Sequence, residues 1–187
     1  MSMFIASARL VVATMLICVA GYASVILGIA QLFPDTAAGS LIRTADGRIV
    51  GSRLVGQNFT EPRYFWPRPS AAGKTGYDAT AAAGSNKSPT SADLTARGRE
   101  LVARYEATPE RPLPADLAAA SGGGLDPHIT APAALYQARR VADARGLPVG
   151  EVERLVDQHA FSPGGIVTPE RIVSVLELNL ALDRRGR

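Results

Sequence analysis

The chain has 187 residues, with 20 Lys plus Arg against 17 Asp plus Glu, a net charge of +3 and a single cysteine. A surplus that small is no nucleic-acid footprint, so nucleic acid is excluded as the expected partner. Cys18 lies inside the most apolar stretch, which leaves the rest of the chain without disulfides, thiol catalysis or thiolate metal ligands.

Leu10 to Phe33 runs for 24 positions without a charged side chain. As a helix it would extend about 36 Å, enough to cross about 30 Å of hydrocarbon with modest tilt. A cleavable signal peptide has an apolar core of only about 7 to 15 residues. Gly21-Tyr22-Ala23 and Gly28-Ile29-Ala30 are weak cleavage sites, so an uncleaved transmembrane anchor over 10–33 is expected. No side of the segment is polar, as the surface helix of a soluble domain would require. Residues 1–9 form a short head carrying Arg9 and no acid, expected on the cytoplasmic side. Residues 34–187 then form one soluble extracytoplasmic domain.

Pro34 is expected to end the membrane helix. Leu41-Ile42-Arg43 and Ile49-Val50 flank Asp46-Gly47, a type I′ hairpin signal. Leu54-Val55 reads as a further extended piece, giving a hairpin region over 40–57. Pro62, Pro67, Pro69 and Pro89 break any helix between 61 and 91. The Tyr64-Phe65-Trp66 cluster argues that this long loop is ordered and lies over the core. From Ser91 the pattern is helical, with Leu94, Leu101, Val102 and Tyr105 near a 3.6-residue period. Further helices are expected from about Pro132 to Arg145 and from Val149 to Ala160. A last one from Thr168-Pro169 should bury Ile172, Val173, Val175, Leu176, Leu178 and Leu180. The helical remainder covers 92–183. The fold class is α+β: one amino-terminal transmembrane helix followed by a small mixed domain.

Three features bear on chemistry. Ser121-Gly122-Gly123-Gly124 could present backbone N–H groups to a phosphate, but no P-loop pattern accompanies it, and a structural turn is the expectation. Asp126-Pro127-His128 places a carboxylate near an imidazole, so the alternative is a membrane-anchored or secreted periplasmic domain with its own binding activity, or with hydrolytic activity from Ser121, His128 and Asp126. Asp126 is expected instead to cap or turn the chain. With His159 the only other histidine, no metal site is expected. Arg68, after Trp66-Pro67, is either an interface arginine or a buried one satisfied by loop carbonyls.

Several stretches carry a resemblance together. They are Gly39-Ser40-Leu41-Ile42, Gly51 through Gly56-Gln57-Asn58-Phe59, Tyr64-Phe65, Arg68-Pro69-Ser70 and Gly84-Ser85-Asn86. Ser121 to Ile129 follows, with Ser121, Gly124, Leu125 and Asp126 at its heart, then Arg140-Val141-Ala142 and Leu178-Asn179-Leu180-Ala181-Leu182. In this order and spacing they resemble the C chain of the Kdp-type potassium-transporting P-type ATPase of bacteria. Gly122, Gly123 and Lys87-Ser88 depart from the family's usual residues.

The resemblance implies an accessory subunit without catalytic residues of its own, in the inner membrane. Implied partners are the P-type catalytic subunit, a channel-like potassium-binding subunit and a small single-span subunit. It also implies a chaperone-like role that raises the catalytic subunit's affinity for ATP, with ATP at most a transient ligand. A domain outside the cell would not meet cytoplasmic ATP directly. For the span, Ala13, Ala20, Gly21, Ser24 and Gly28 are expected to let partner helices approach closely.

Overall fold

The computed structural model describes residues 1–44, 46–165 and 167–185 and divides into two compact units, Met1–Leu41 and Ile42–Arg187. In the first unit, α1 (Ser2–Met15), a π-helical stretch (Leu16–Gly21) and α2 (Tyr22–Ala30) join into one 29-residue helix. Its most apolar window has a mean hydropathy of 2.4 and no buried residue. Val11, Leu16, Ile17, Val25 and Leu27 all lie exposed, a surface that water would disfavour and a lipid phase would not.

The helix differs from the expected 10–33 at both ends. It begins at Ser2, because the head contains good helix formers and only Arg9 as a charge. It ends at Ala30, four residues before the proline. Pro34 instead opens a short helix, α3 (Pro34–Ala37), at the first helical position, where its missing N–H is not needed.

The chain continues with β1 (Leu41–Arg43), which pairs with β2 (Ile49–Ser52). The closing bond runs from the Thr44 N–H to the Arg48 carbonyl at 2.9 Å, so the loop encloses three residues rather than the two of a type I′ turn. Gly47 supplies the positive φ, +81°. Leu54-Val55, read above as extended, is a turn that Ser52 closes through its side chain. Residues 61–91 are irregular apart from one 3₁₀ turn (Ala79–Ala81).

The remaining elements are α4 (Ala92–Arg104), α5 (Ala115–Ala118), β3 (His128–Thr130), α6 (Ala131–Arg145), α7 (Val149–His159), β4 (Ile172–Ser174) and α8 (Val175–Arg185). Helix α6 is well delimited. The Thr130 hydroxyl accepts the Ala133 N–H at 3.2 Å, and Gly146 stops the helix with φ +66°. Its inward face is mostly small: Ala133, Ala134, Ala138 and Ala142 are fully buried. Small residues let α7 pack closely, seating Val152, Leu155 and Val156 in the same core.

Three expectations fail here. The last helix starts at Val175, not Thr168, and Ile172-Val173-Ser174 forms β4. Its antiparallel partner is β3, in the register His128↔Ser174, Ile129↔Val173, Thr130↔Ile172. The β-branched run favours a strand, and pairing with a segment 44 residues away decides it. Ile129 and Val173 form its buried middle, while Leu180 is only half-buried. In α4, Val102 faces solvent at 47% exposure.

Candidate functional site

Tyr64 to Ser70 cannot be helical, since Pro67 and Pro69 remove two donors and hold the preceding residues extended. Phe65 and Trp66 are nevertheless buried, so their backbone groups need partners from elsewhere. Two buried amides supply them. Asn179 on α8 accepts the Phe65 N–H at 2.8 Å and donates to its carbonyl at 3.0 Å. Gln137 on α6 does the same for Trp66, at 2.8 and 3.0 Å. The extended segment is thus pinned to two helices as a strand is pinned to a sheet.

The next residues tie the loops together. Arg68 donates through Nη1 to Asp126 Oδ2 at 2.9 Å, and Asp126 Oδ1 accepts the His128 N–H at 2.9 Å. Burial pushes the Asp126 carboxyl up, but His128 and the Arg68 guanidinium pull it further down, below the ordinary carboxylate value. The Ser70 hydroxyl donates to the Gly124 carbonyl at 2.6 Å and accepts the N–H groups of Ala72 and Tyr77. Tyr77, held at φ +59°, donates its hydroxyl to the Arg68 carbonyl.

Glycines permit the closest approaches. The Gly56 N–H donates to the Leu125 carbonyl at 2.8 Å, and a Cβ at Gly56 would stand 2.6 Å from the Asp126 carbonyl oxygen. A Cβ at Gly84 would stand 2.8 Å from the Gly122 oxygen. The Gln57 side chain turns back to donate to the Val50 carbonyl at 2.8 Å.

The fold therefore gathers Gly56, Gln57, Arg68, Pro69, Ser70, Gly84, Ser121, Gly124, Leu125 and Asp126 into one region of linked loops. Phe59 joins through its ring, tilted against Tyr64 at 5.4 Å. Ser85 and exposed Asn86, at φ +45°, flank Gly84. Asn179 sits apart from this group, on the Phe65 clamp. Ala13, Ala20, Gly21, Ser24 and Gly28 belong to the other unit.

Among the alternatives raised by sequence, the Gly-rich turn spends donors on the fold. Ser121 N–H donates to the Pro69 carbonyl and Gly124 N–H to the Ser121 carbonyl, each at 3.2 Å. In the Asp126-His128 pair, Nδ1 lies 3.6 Å from Oδ1, beyond hydrogen-bonding distance. Among the described residues, no group of three or more His, Cys, Asp or Glu is placed to hold a metal ion.

Sequence reasoning missed an arginine–aromatic cluster. Arg140 and Arg104 lie over the Trp66 ring, 3.6 and 4.1 Å from its centroid, and Arg111 lies 4.1 Å over Tyr136. Tyr105 meets Trp66 edge-on at 5.2 Å. Burial, with Arg104 adding to it, pushes the Arg140 guanidinium down to about 10. A second network gathers Tyr64, Arg63 and Arg145 on Asp183; the Arg145 contact is 2.8 Å. Burial raises that carboxyl, and Arg145, Tyr64 and Arg63 together bring it below its usual value. Gln137 alone carried a sequence signal: a polar residue four positions from both Ala133 and Val141, on a face otherwise apolar.

A helix of membrane-spanning length joined to a small α+β body knit by loop–loop hydrogen bonds defines the class: a single-helix membrane-associated protein. The comparisons make the family specific. The family described as KdpC, the K+-transporting ATPase c chain, matches residues 4–184, and the chain belongs to it. A potassium-transporting ATPase KdpC subunit of Parvibaculum lavamentivorans is 64% identical over 185 residues, covering 98% of this chain and 97% of that one. Proteins of the same description from Gemmatimonas aurantiaca and Geobacter sulfurreducens are 52% and 46% identical, over 87% and 90% of this chain and 82% and 90% of theirs.

Proposed function

We propose that this chain is the accessory, non-catalytic subunit of a bacterial ATP-driven potassium importer. The observation that carries the reading is the family match from residue 4 to residue 184, which takes in the apolar helix and the α+β body together. In this reading the helix is a permanent single-pass anchor in the inner membrane, with the amino terminus in the cytoplasm and the α+β domain outside. The helix packs against spans of the catalytic, channel-like and small single-span subunits. Ser24 and Gly28, four apart in α2, share a face on which backbones can approach closely. The outer domain rests on the channel-like subunit.

A higher ATP affinity of the catalytic subunit is then an indirect effect, transmitted through packed helices, with no nucleotide held tightly by this chain. A reporter enzyme active only outside the cytoplasm, fused to the carboxyl terminus, tests the topology. Activity in intact host cells is expected, and a silent reporter whose fusion is made in full would overturn the placement. Deleting the chain should abolish potassium uptake at low external potassium, and undiminished uptake would overturn the functional reading.

A further inference from the structure

The carboxyl end of α4 and the outer side of α6 border a cleft of about 560 Å³, lined in part by Arg104, Arg111, Arg139, Arg140 and Tyr136. Its positive charge is only partly compensated. Glu106 and Asp143 also line it, and Asp143 lies 3.9 Å from Arg139. Among the described residues, Arg104, Arg111 and Arg140 have no carboxylate within 4.0 Å. Arg140 donates instead to neutral acceptors, the carbonyls of Pro62 and Tyr64 and Gln137 Oε1. Arg111 donates to the Tyr136 carbonyl. These bonds hold the guanidinium planes still and leave their charge in place. Two guanidiniums sharing one indole repel each other, and the half-buried one is desolvated as well. The indole face and the neutral acceptors offset part of that cost, and an anion in the cleft would offset more of it.

The cleft continues, through Arg104 and Tyr105, into a second one of about 260 Å³ where Phe59, Pro67 and Leu101 add apolar surface. Arg68, already paired with Asp126, lines it too, with Arg97 and Glu100, and among the described residues the Nε of each arginine is buried without a hydrogen-bond partner. A free inorganic anion would leave that apolar floor uncovered. A peptide carrying carboxylates beside apolar side chains would match both parts, and exposed Arg and Tyr side chains are among the residues that anchor such contacts. Planar guanidinium forks match carboxylates two bonds at a time.

We propose that this arginine–aromatic trough is the docking surface for an acidic segment of another subunit of the transporter. The inference rests on the accessory-subunit reading above and names the face that makes the contact.

Zero-length cross-linking tests it. The chain has only two natural lysines, Lys74 and Lys87, so background is low. Arg104→Lys and Arg111→Lys keep the charge and add amines that a carbodiimide joins to a carboxylate in contact. With the full chain in the complex purified in mild detergent, each variant should form an amide to an Asp or Glu of a partner subunit. Arg154→Lys, at an exposed position of α7, should form none. Absence of such links at 104 and 111 while the partners co-purify overturns the docking surface alone; failure of partners to co-purify with the unmodified chain overturns the accessory-subunit reading. The pair Arg104→Glu and Arg111→Glu should lower partner recovery at least about tenfold with unchanged circular dichroism. Unchanged recovery also counts against the surface.

Discussion

Replacing Asn179 should expose how much the domain depends on its pinned aromatic segment. Asn179 is 1% exposed and makes both of its hydrogen bonds to Phe65, itself fully buried. Asn179→Leu keeps the volume and strands one buried N–H and one buried carbonyl. At about 1–3 kcal/mol for each unsatisfied group, the loss is about 2–6 kcal/mol, a large share of a stability of about 5–15 kcal/mol. Asn179→Asp is more informative. It retains the acceptor for the N–H but turns a carboxylate oxygen toward the Phe65 carbonyl. Burial raises that carboxyl in the folded state, so the ionisation penalty is absent below the unfolded value of about 3.9 and grows as pH rises above it. The variant should therefore approach the parent in stability at acid pH and fall furthest behind near neutrality. Urea unfolding in detergent, followed by the fluorescence of Trp66, the only tryptophan, reads both. A loss under about 0.5 kcal/mol for Asn179→Leu, or a pH-independent difference for Asn179→Asp, would refute the clamp.

Gly56→Ala places a methyl 2.6 Å from the Asp126 carbonyl oxygen and should cost about 1–3 kcal/mol, whereas Gly122→Ala, with nothing within 4 Å, should stay within about 0.5 kcal/mol; thermal melts distinguish them. Asp126 and Asp183 both titrate below their ordinary value when folded, so their stabilisation is present above about pH 3.9 and is lost as pH falls through the folded values. Asp126→Asn should accordingly flatten acid unfolding below pH 4, and an unchanged acid limb would contradict that. Tyr105, pushed up to about 12 by burial, should ionise after the free phenol range in an ultraviolet titration of the folded chain. Gly28→Leu should reduce recovery of partner subunits without changing the domain's melting.

Much of this architecture was legible because it rests on local signals. The uncharged run foretold the long helix, Gly146 and Pro148 separated α6 from α7, and the prolines of 61–91 foretold irregular chain. What escaped depends on distant partners. Ile172-Val173-Ser174 becomes a strand only because His128-Ile129-Thr130 lies beside it, and the capping pattern at Thr168-Pro169 pointed the other way. At the linked loops, Arg68 and Asp126 stood out, yet nothing local says that they pair across 58 positions. The stacking of Arg104 and Arg140 on Trp66 is equally a product of tertiary structure, since arginines on helices usually mark a solvated face.

Purification of the full-length chain from its host membranes in mild detergent tests the central claim most directly. The account predicts that the larger transporter subunits accompany it and that the preparation hydrolyses ATP in response to potassium. Recovery of this chain alone, with the ATPase intact and potassium-responsive in the fractions that lack it, would contradict the account.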